Sequence, residues 1–99
     1  MANTMKTLFS TTHNNGRITT HYEIVEYKER KFKIYLYIDT SSDCVGFNRN
    51  CCLSVMTADG TFAEVVDNRS IGLAIDRYHP SSAIDTAVKG FKDFIKKVY

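Results

Sequence analysis

The sequence has few residues that interrupt helices and strands or form disulfides: it contains one proline, five scattered glycines and three cysteines among 99 residues. It has no repeat, low-complexity tract or linker, so no position suggests a domain boundary. No apolar run approaches the roughly 20 residues of a membrane-spanning helix, and no N-terminal stretch has signal-peptide character. We therefore expect a single domain over residues 1–99 that is cytoplasmic and does not bind membranes.

The sequence also lacks an excess of either charge, because 13 basic and 11 acidic residues leave a net charge of +2. So small a charge does not by itself predict a polyanionic partner. The hydrophobic fraction of 43% and the charged fraction of 24% are those of an ordinary globular protein. Such a composition excludes a disordered chain, a collagen and a coiled coil.

The cysteines do not suggest a disulfide framework, because Cys44, Cys51 and Cys52 are odd in number. Adjacent Cys51 and Cys52 would point to opposite faces of a strand, which is a poor start for a shared metal site. We interpret all three as reduced thiols, and we expect no metal and no cofactor.

Alternating side chains and turn signals predict β-hairpins over the first two thirds of the chain. Asn15-Gly16 and Asp59-Gly60 mark two tight turns, because such pairs adopt the backbone that hairpin turns require. Residues 28–30 form a charged turn between two further strands. The alternation over residues 70–76 fits either a short sixth strand or a helical turn. The predicted strands are 5–12, 17–27, 31–40, 51–57 and 61–66.

The last segment of the chain has helical spacing. Pro80 suits the first turn of a helix, and Ser82 with Asp85 three residues later resembles a capping box. The predicted apolar stripe consists of Ile84, Ala87, Val88, Phe91, Phe94, Ile95 and Val98. We therefore predict an α+β fold, in which an antiparallel sheet of four to six strands, built from hairpins, is packed on one face by a C-terminal amphipathic helix.

Strand 31–40 has one apolar face and one face of lysines and tyrosines. If the helix covers the apolar face, the other is free for a partner. Tyrosine and arginine are enriched at protein interfaces, and residues 41–50 form a long loop with apolar side chains. The candidate partner-binding residues are Arg30, Lys31, Lys33, Tyr35, Tyr37, Phe47 and Arg49.

The sequence contains no phosphate-binding loop, no metalloprotease motif and no nucleophile elbow. We therefore expect a non-enzymatic protein that acts by stoichiometric protein–protein contact, and an open sheet face or edge strand could also bind a second copy. One alternative is a module for single-stranded nucleic acid, because aromatic rings stack on bases while lysines contact phosphates. A second alternative is a metal-independent nuclease that uses His13 and His21, which flank the first hairpin turn.

The predicted architecture resembles that of small sheet-plus-helix proteins encoded by phages and mobile elements. Some of these proteins inhibit host defence systems, including anti-CRISPR proteins that block a protein surface. The resemblance lies in architecture alone, because no residue here matches a signature of such a family. It implies that the partner is a host defence protein and that the chain is an inhibitor.

Overall fold

The computed structural model describes residues 4–40 and 50–99. One antiparallel sheet is followed by a helix, so the fold is α+β as predicted. The elements are β1 (Lys6–Asn14), β2 (Ile18–Tyr27), β3 (Arg30–Asp39), β4 (Cys51–Met56), β5 (Phe62–Asp67) and α1 (Pro80–Val98). Each strand pairs with its neighbours in the sequence, so β1 and β5 are the two edges of this five-stranded sheet.

The turn between β1 and β2 forms at the predicted Asn-Gly pair. Gly16 has a φ of +91°, a backbone conformation that is accessible to glycine at little cost. The Asn14 side chain accepts a hydrogen bond from the Gly16 N–H (2.6 Å), and the Asn15 side chain accepts one from the Ile18 N–H (2.7 Å). These bonds hold β1 and β2 in a fixed register.

The turn between β2 and β3 is tighter and lacks glycine. Lys28 and Glu29 have φ values of +52° and +63°. Two successive residues with positive φ are typical of the type I′ hairpin turn. The left-handed conformation costs a residue with a side chain about 1 kcal/mol or more relative to glycine.

Replacing Glu29 by glycine is therefore expected to stabilise the protein. The expected gain is about 1 kcal/mol, or roughly 5 °C in Tm for a domain of this size, because glycine adopts the left-handed backbone without strain. Ala58→Gly is the matched control, since Ala58 is another exposed turn residue but has no positive φ. A thermal melt should show a higher Tm for Glu29→Gly and a lower one for Ala58→Gly. The same shift in both variants would refute this interpretation.

Helix α1 packs on the apolar face of β3. Phe32, Ile34, Leu36 and Ile38 are fully buried. The helix buries a stripe of residues four apart: Ala83, Ala87, Phe91 and Ile95. This spacing repeats nearly once per helical turn, so one side of α1 faces the sheet along its length. Val98, predicted in the stripe, is 55% exposed at the end of the helix.

The start of the helix differs from the prediction. Because α1 begins at Pro80, the cap position is held by His79, and Ser82 lies inside the first turn. The predicted capping box of Ser82 and Asp85 is therefore wrong. The His79 ring instead contacts the Asp76 carboxylate (Nδ1 to Oδ2, 2.7 Å), which holds the pKa of Asp76 below its usual value.

Residues 70–76 form neither a strand nor a helix. Their alternating apolar side chains, Ile71, Leu73 and Ile75, instead pack against the edge of the core. Buried Asn68 anchors this segment, because its side chain accepts the Cys51 N–H (3.2 Å) and donates to the Leu73 carbonyl (3.1 Å). Gly90 makes room for it, since a Cβ there would lie 2.9 Å from Leu73 Cδ2.

Candidate protein-binding surface and a buried polar cluster

The sheet face opposite α1, called here the open face, carries four of the predicted binding residues. They are Lys31, Lys33, Tyr35 and Tyr37, which alternate along β3 with its buried side chains. Tyr35 is 37% exposed and Tyr37 is 44% exposed. The helix thus covers the apolar face of β3, which the sequence alone left open, and the tyrosines remain accessible.

An aromatic strip crosses the open face from β1 to β5. Its members are Phe9, Tyr22, Tyr35, Lys33 and Phe62. Phe9 meets Tyr22 edge to face with ring centroids 6.0 Å apart, and Tyr22 pairs directly with Tyr35 in the register of β2 and β3. The Lys33 ammonium lies 5.8 Å from the Tyr22 centroid and 5.4 Å from that of Phe62. Each such cation–π contact is worth about 0.5–1 kcal/mol at an exposed site, so Lys33 joins the rings into one surface.

Three members of the aromatic strip, Phe9, Tyr22 and Phe62, were not among the predicted binding residues. The pairing register of the strands places their side chains beside those of β3. The spacing of residues along a single strand does not reveal this register. The available signal was weak: Tyr22 shares a face of β2 with Ile18 and Ile24, a pattern equally typical of a buried face.

Arg30, also a predicted binding residue, does not lie on the open face. Arg30 shares the helix side of β3 with Phe32, and its guanidinium carbon lies 5.1 Å from the centroid of the Tyr99 ring. Arg30 is therefore separated from Tyr35 by the thickness of the sheet. Phe47 and Arg49 lie outside the described residues, together with the rest of the predicted loop apart from Asn50.

The charge of the open face is mixed. Lys31 is paired in register with Glu26 of β2. Asp39 at the end of β3 accepts two hydrogen bonds from Arg17, at 3.1 Å from Nε and 3.0 Å from Nη2. The acidic groups partly offset the field of the lysines, so the surface is amphipathic rather than strongly basic.

The first half of the inward face of β2 is polar, although it lies toward the helix. Thr19, His21 and Glu23 are each at most 5% exposed. His21 Nε2 lies 3.0 Å from Glu23 Oε1, and its Nδ1 lies 2.8 Å from Thr12 Oγ1. Because an ionised carboxylate only accepts hydrogen bonds, Nε2 carries a proton, and the Thr12 hydroxyl donates to Nδ1 when the ring is neutral.

Lys92 of α1 completes this polar cluster, defined as Thr12, His21, Glu23 and Lys92. Its ammonium lies 3.0 Å from Glu23 Oε2 and is 28% exposed, while the Glu23 side chain is 7% exposed. Burial alone would raise the pKa of Glu23, but hydrogen bonds and charge interactions with Lys92 and His21 outweigh it and lower the pKa. The sequence pattern predicts Lys92 on the water-facing side, whereas it ties the helix to β2.

The two histidines of the nuclease hypothesis lie on opposite faces of the sheet. His13 pairs with Thr20, whereas His21 pairs with Thr12. Neighbouring positions of a strand alternate between faces, so His13 belongs to the open face and His21 to the helix side. The two rings therefore do not meet across the hairpin. The nuclease hypothesis therefore loses the acid–base pair on which it rests.

The cysteines that the structure describes are free thiols. Cys51 is buried in the core, and burial, followed by Cys52 and Asp67, raises its pKa to about 12. A thiol with so high a pKa is a poor nucleophile. Within residues 4–40 and 50–99, no group of three or more metal-binding side chains could hold an ion. In the same ranges, no helix is long and apolar enough to cross a membrane.

No protein-family model, no curated protein and no solved structure matches this chain. A proposed function must therefore come from the open face, the polar cluster and the edges of the sheet.

Proposed function

We propose that this chain is a small non-catalytic binding protein that acts by stoichiometric protein–protein contact through its open face. The observation that carries the proposal is the aromatic strip, which, with Tyr37 beside it, is partly exposed on the side away from the helix. A contiguous exposed patch of large amphipathic side chains is typical of an interaction site. The proposal includes a cytoplasmic location, which the free thiols of Cys51 and Cys52 favour.

The position of the open face suits tight and specific recognition. Tyr35 and Tyr37 stand on β3, the central strand, whose opposite side chains are fully buried against the helix. A side chain on such a rigid support loses little conformational entropy on binding, which favours affinity. Tyrosine adds large contact area and a hydroxyl that can hydrogen-bond at the rim of the partner's surface.

A single-stranded nucleic acid is the second candidate partner, because Lys31 and Lys33 alternate with Tyr35 and Tyr37 on one face. The acidic residues Glu26 and Asp39 nearby favour a protein over a polyanion. Titration of mixed-sequence oligonucleotides at low and moderate salt separates the two. The proposal expects little or no binding, whereas tight binding that weakens steeply with salt would put nucleic acid first.

The specific form of the proposal is inhibition of a host defence protein, which the resemblance in architecture suggests. A chain that covers a partner's surface needs no catalytic group of its own. Increasing amounts of this protein, added to a fixed amount of the partner, should therefore abolish the partner's activity at a fixed stoichiometry. Inhibition at strongly substoichiometric amounts would indicate turnover and would contradict this mode of action.

A further inference from the structure

The two edges of the sheet differ in how well they are protected. Edge strand β5 has six residues and carries acidic Glu64 and Asp67. Edge strand β1 has nine residues and carries no charged side chain between Lys6 and His13. Each edge strand has one register shift in its pairing, so the two edges differ in length and charge. Short and charged edges resist pairing with another chain, whereas long uncharged edges favour it.

Strand β1 is accessible on both faces as well as along its edge. Helix α1 lies over β2 and β3, and an open groove of about 600 Å³ lies between it and β1. The Lys92 ammonium reaches across to β1, where it donates to Thr7 Oγ1 (3.3 Å). Ser10 and Thr12 line the groove on one side, and Val88 lines it on the other. On the opposite face, Phe9 is 51% exposed. Nothing in residues 4–40 or 50–99 pairs with the outer edge of β1.

The register shows which backbone groups of β1 face outward. The Asn15 N–H donates to the Ile18 carbonyl (3.1 Å), which makes these two residues a hydrogen-bonded pair. Hydrogen-bonded and non-hydrogen-bonded pairs alternate along an antiparallel ladder. His13 and Thr11 therefore bond to β2, while Ser10 and Thr12 direct their N–H and carbonyl groups to the free edge.

We propose that the β1 edge pairs antiparallel with β1 of a second copy of this chain, about a two-fold axis at Thr11. In this register Ser10 exchanges two backbone hydrogen bonds with the partner's Thr12, and the two-fold axis repeats the exchange. The register shift of β1 between Thr7 and Phe9 ends the ladder at one side. The result is one continuous sheet that displays the open face twice.

The occupant is a second copy because the edge is self-complementary. Identical strands that pair antiparallel satisfy a two-fold axis, the symmetry of most homodimers. On the open face Thr11 lies opposite the partner's Thr11, and Phe9 lies opposite the partner's His13. Neither pair sets two charges of one sign together, and threonine and aromatic pairs stabilise a sheet. A strand pairing this short buries less surface than a standard protein interface. We therefore expect the dimer to be weak and reversible.

Sedimentation equilibrium over a range of concentrations tests the dimer directly. The mass of the wild-type chain should rise from 11.3 kDa towards twice that value. Thr11→Lys sets two lysines opposite each other at the axis, and we expect dimerisation at least about tenfold weaker. Ala63→Lys is the matched control on the β5 edge and should dimerise like the wild type. A thermal melt of each variant confirms that it folds.

A charge-reversal mixture identifies the residue at the axis. Thr11→Lys and Thr11→Glu chains should each dimerise more weakly than the wild type when alone and should form a heterodimer when mixed. A wild-type chain that remains monomeric up to its solubility limit would overturn the proposal. So would a dimer weakened by Ala63→Lys but not by Thr11→Lys, which would place the contact at β5. A monomeric chain whose β1 edge binds a strand of another protein would assign the edge to a different partner and would equally overturn it.

Discussion

Replacing Lys92 by methionine is expected to lower the free energy of unfolding by about 2–3 kcal/mol at pH 7. Methionine keeps the length and helix propensity of the side chain but removes the ammonium 3.0 Å from Glu23 Oε2. The carboxylate then keeps its charge in a site where it is 7% exposed. Domains of this size are stable by about 5–15 kcal/mol, so the loss is large.

The Lys92→Met effect should depend on pH in a direction set by Glu23. The folded pKa of Glu23 lies below its unfolded value, so its contribution to stability is present above the unfolded pKa of about 4.3 and is lost as the pH falls through the folded pKa. In Lys92→Met, only His21 remains to offset the cost of burying the charged Glu23 carboxylate. Protonation of Glu23 in acid removes this cost, so the difference in free energy of unfolding between the variant and the wild type should narrow.

Urea unfolding at pH 7 and at pH 3 measures the difference in free energy of unfolding between the wild type and Lys92→Met. Lys89→Met is the matched control one turn earlier, because Lys89 pairs with Asp93 in an exposed ion pair. That pair should contribute less than about 1 kcal/mol at either pH. A Lys92→Met variant as stable as the control at pH 7 would show that the polar cluster does not hold the helix to the sheet. A gap that widens in acid would contradict the role assigned to Glu23.

Replacing both Tyr35 and Tyr37 by alanine is expected to weaken partner binding about 100-fold or more. Both rings belong to the open face, and Tyr35 also supports Tyr22 across the strands. Their partial exposure limits the cost to folding to roughly 1 kcal/mol, so the double variant should remain folded. Affinity is measured by titration calorimetry with the partner, and folding by circular dichroism.

Tyr78→Ala is the control for this double variant. Tyr78 is 65% exposed and belongs to the segment of the chain between β5 and α1, outside the strands that form the open face. Its removal should leave affinity unchanged within about twofold. Equal loss of binding in the control and the double variant would point to a nonspecific effect of removing tyrosine. Undiminished binding by the double variant would place the interface elsewhere on the chain.

Most of the fold could be predicted from local pattern. The alternation in β3 and the Asn-Gly turn depend on neighbouring residues, and both predictions are confirmed. The end of β1 was placed two residues too early, because His13 and Asn14 give no apolar alternation and are held in the strand by pairing with β2. The possible sixth strand over residues 70–76 fails for the opposite reason. Its apolar residues alternate along the chain but have no partner strand, as Ile71, Leu73 and Ile75 show.

The polar cluster could not be predicted, because its members are far apart in the sequence and break the usual rule of burial. His21 and Glu23 are polar residues on a strand, a pattern that ordinarily indicates a face in water. Their burial becomes favourable only when Thr12 and Lys92 supply partners from β1 and α1. Arg30 shows the same limit, because its contact is with Tyr99 at the far end of the chain.

The most direct test of the proposed function is affinity capture of the tagged protein from its host's lysate, with and without nuclease treatment. Four baits are compared: the wild type, the Tyr35→Ala/Tyr37→Ala variant, the Tyr78→Ala control and a tag alone. We predict a protein in stoichiometric amount that survives nuclease, is retained by Tyr78→Ala and is lost from the double variant. Recovery of nucleic acid with proteins that disappear after nuclease, or equal retention by the double variant, would contradict binding of a protein through the open face.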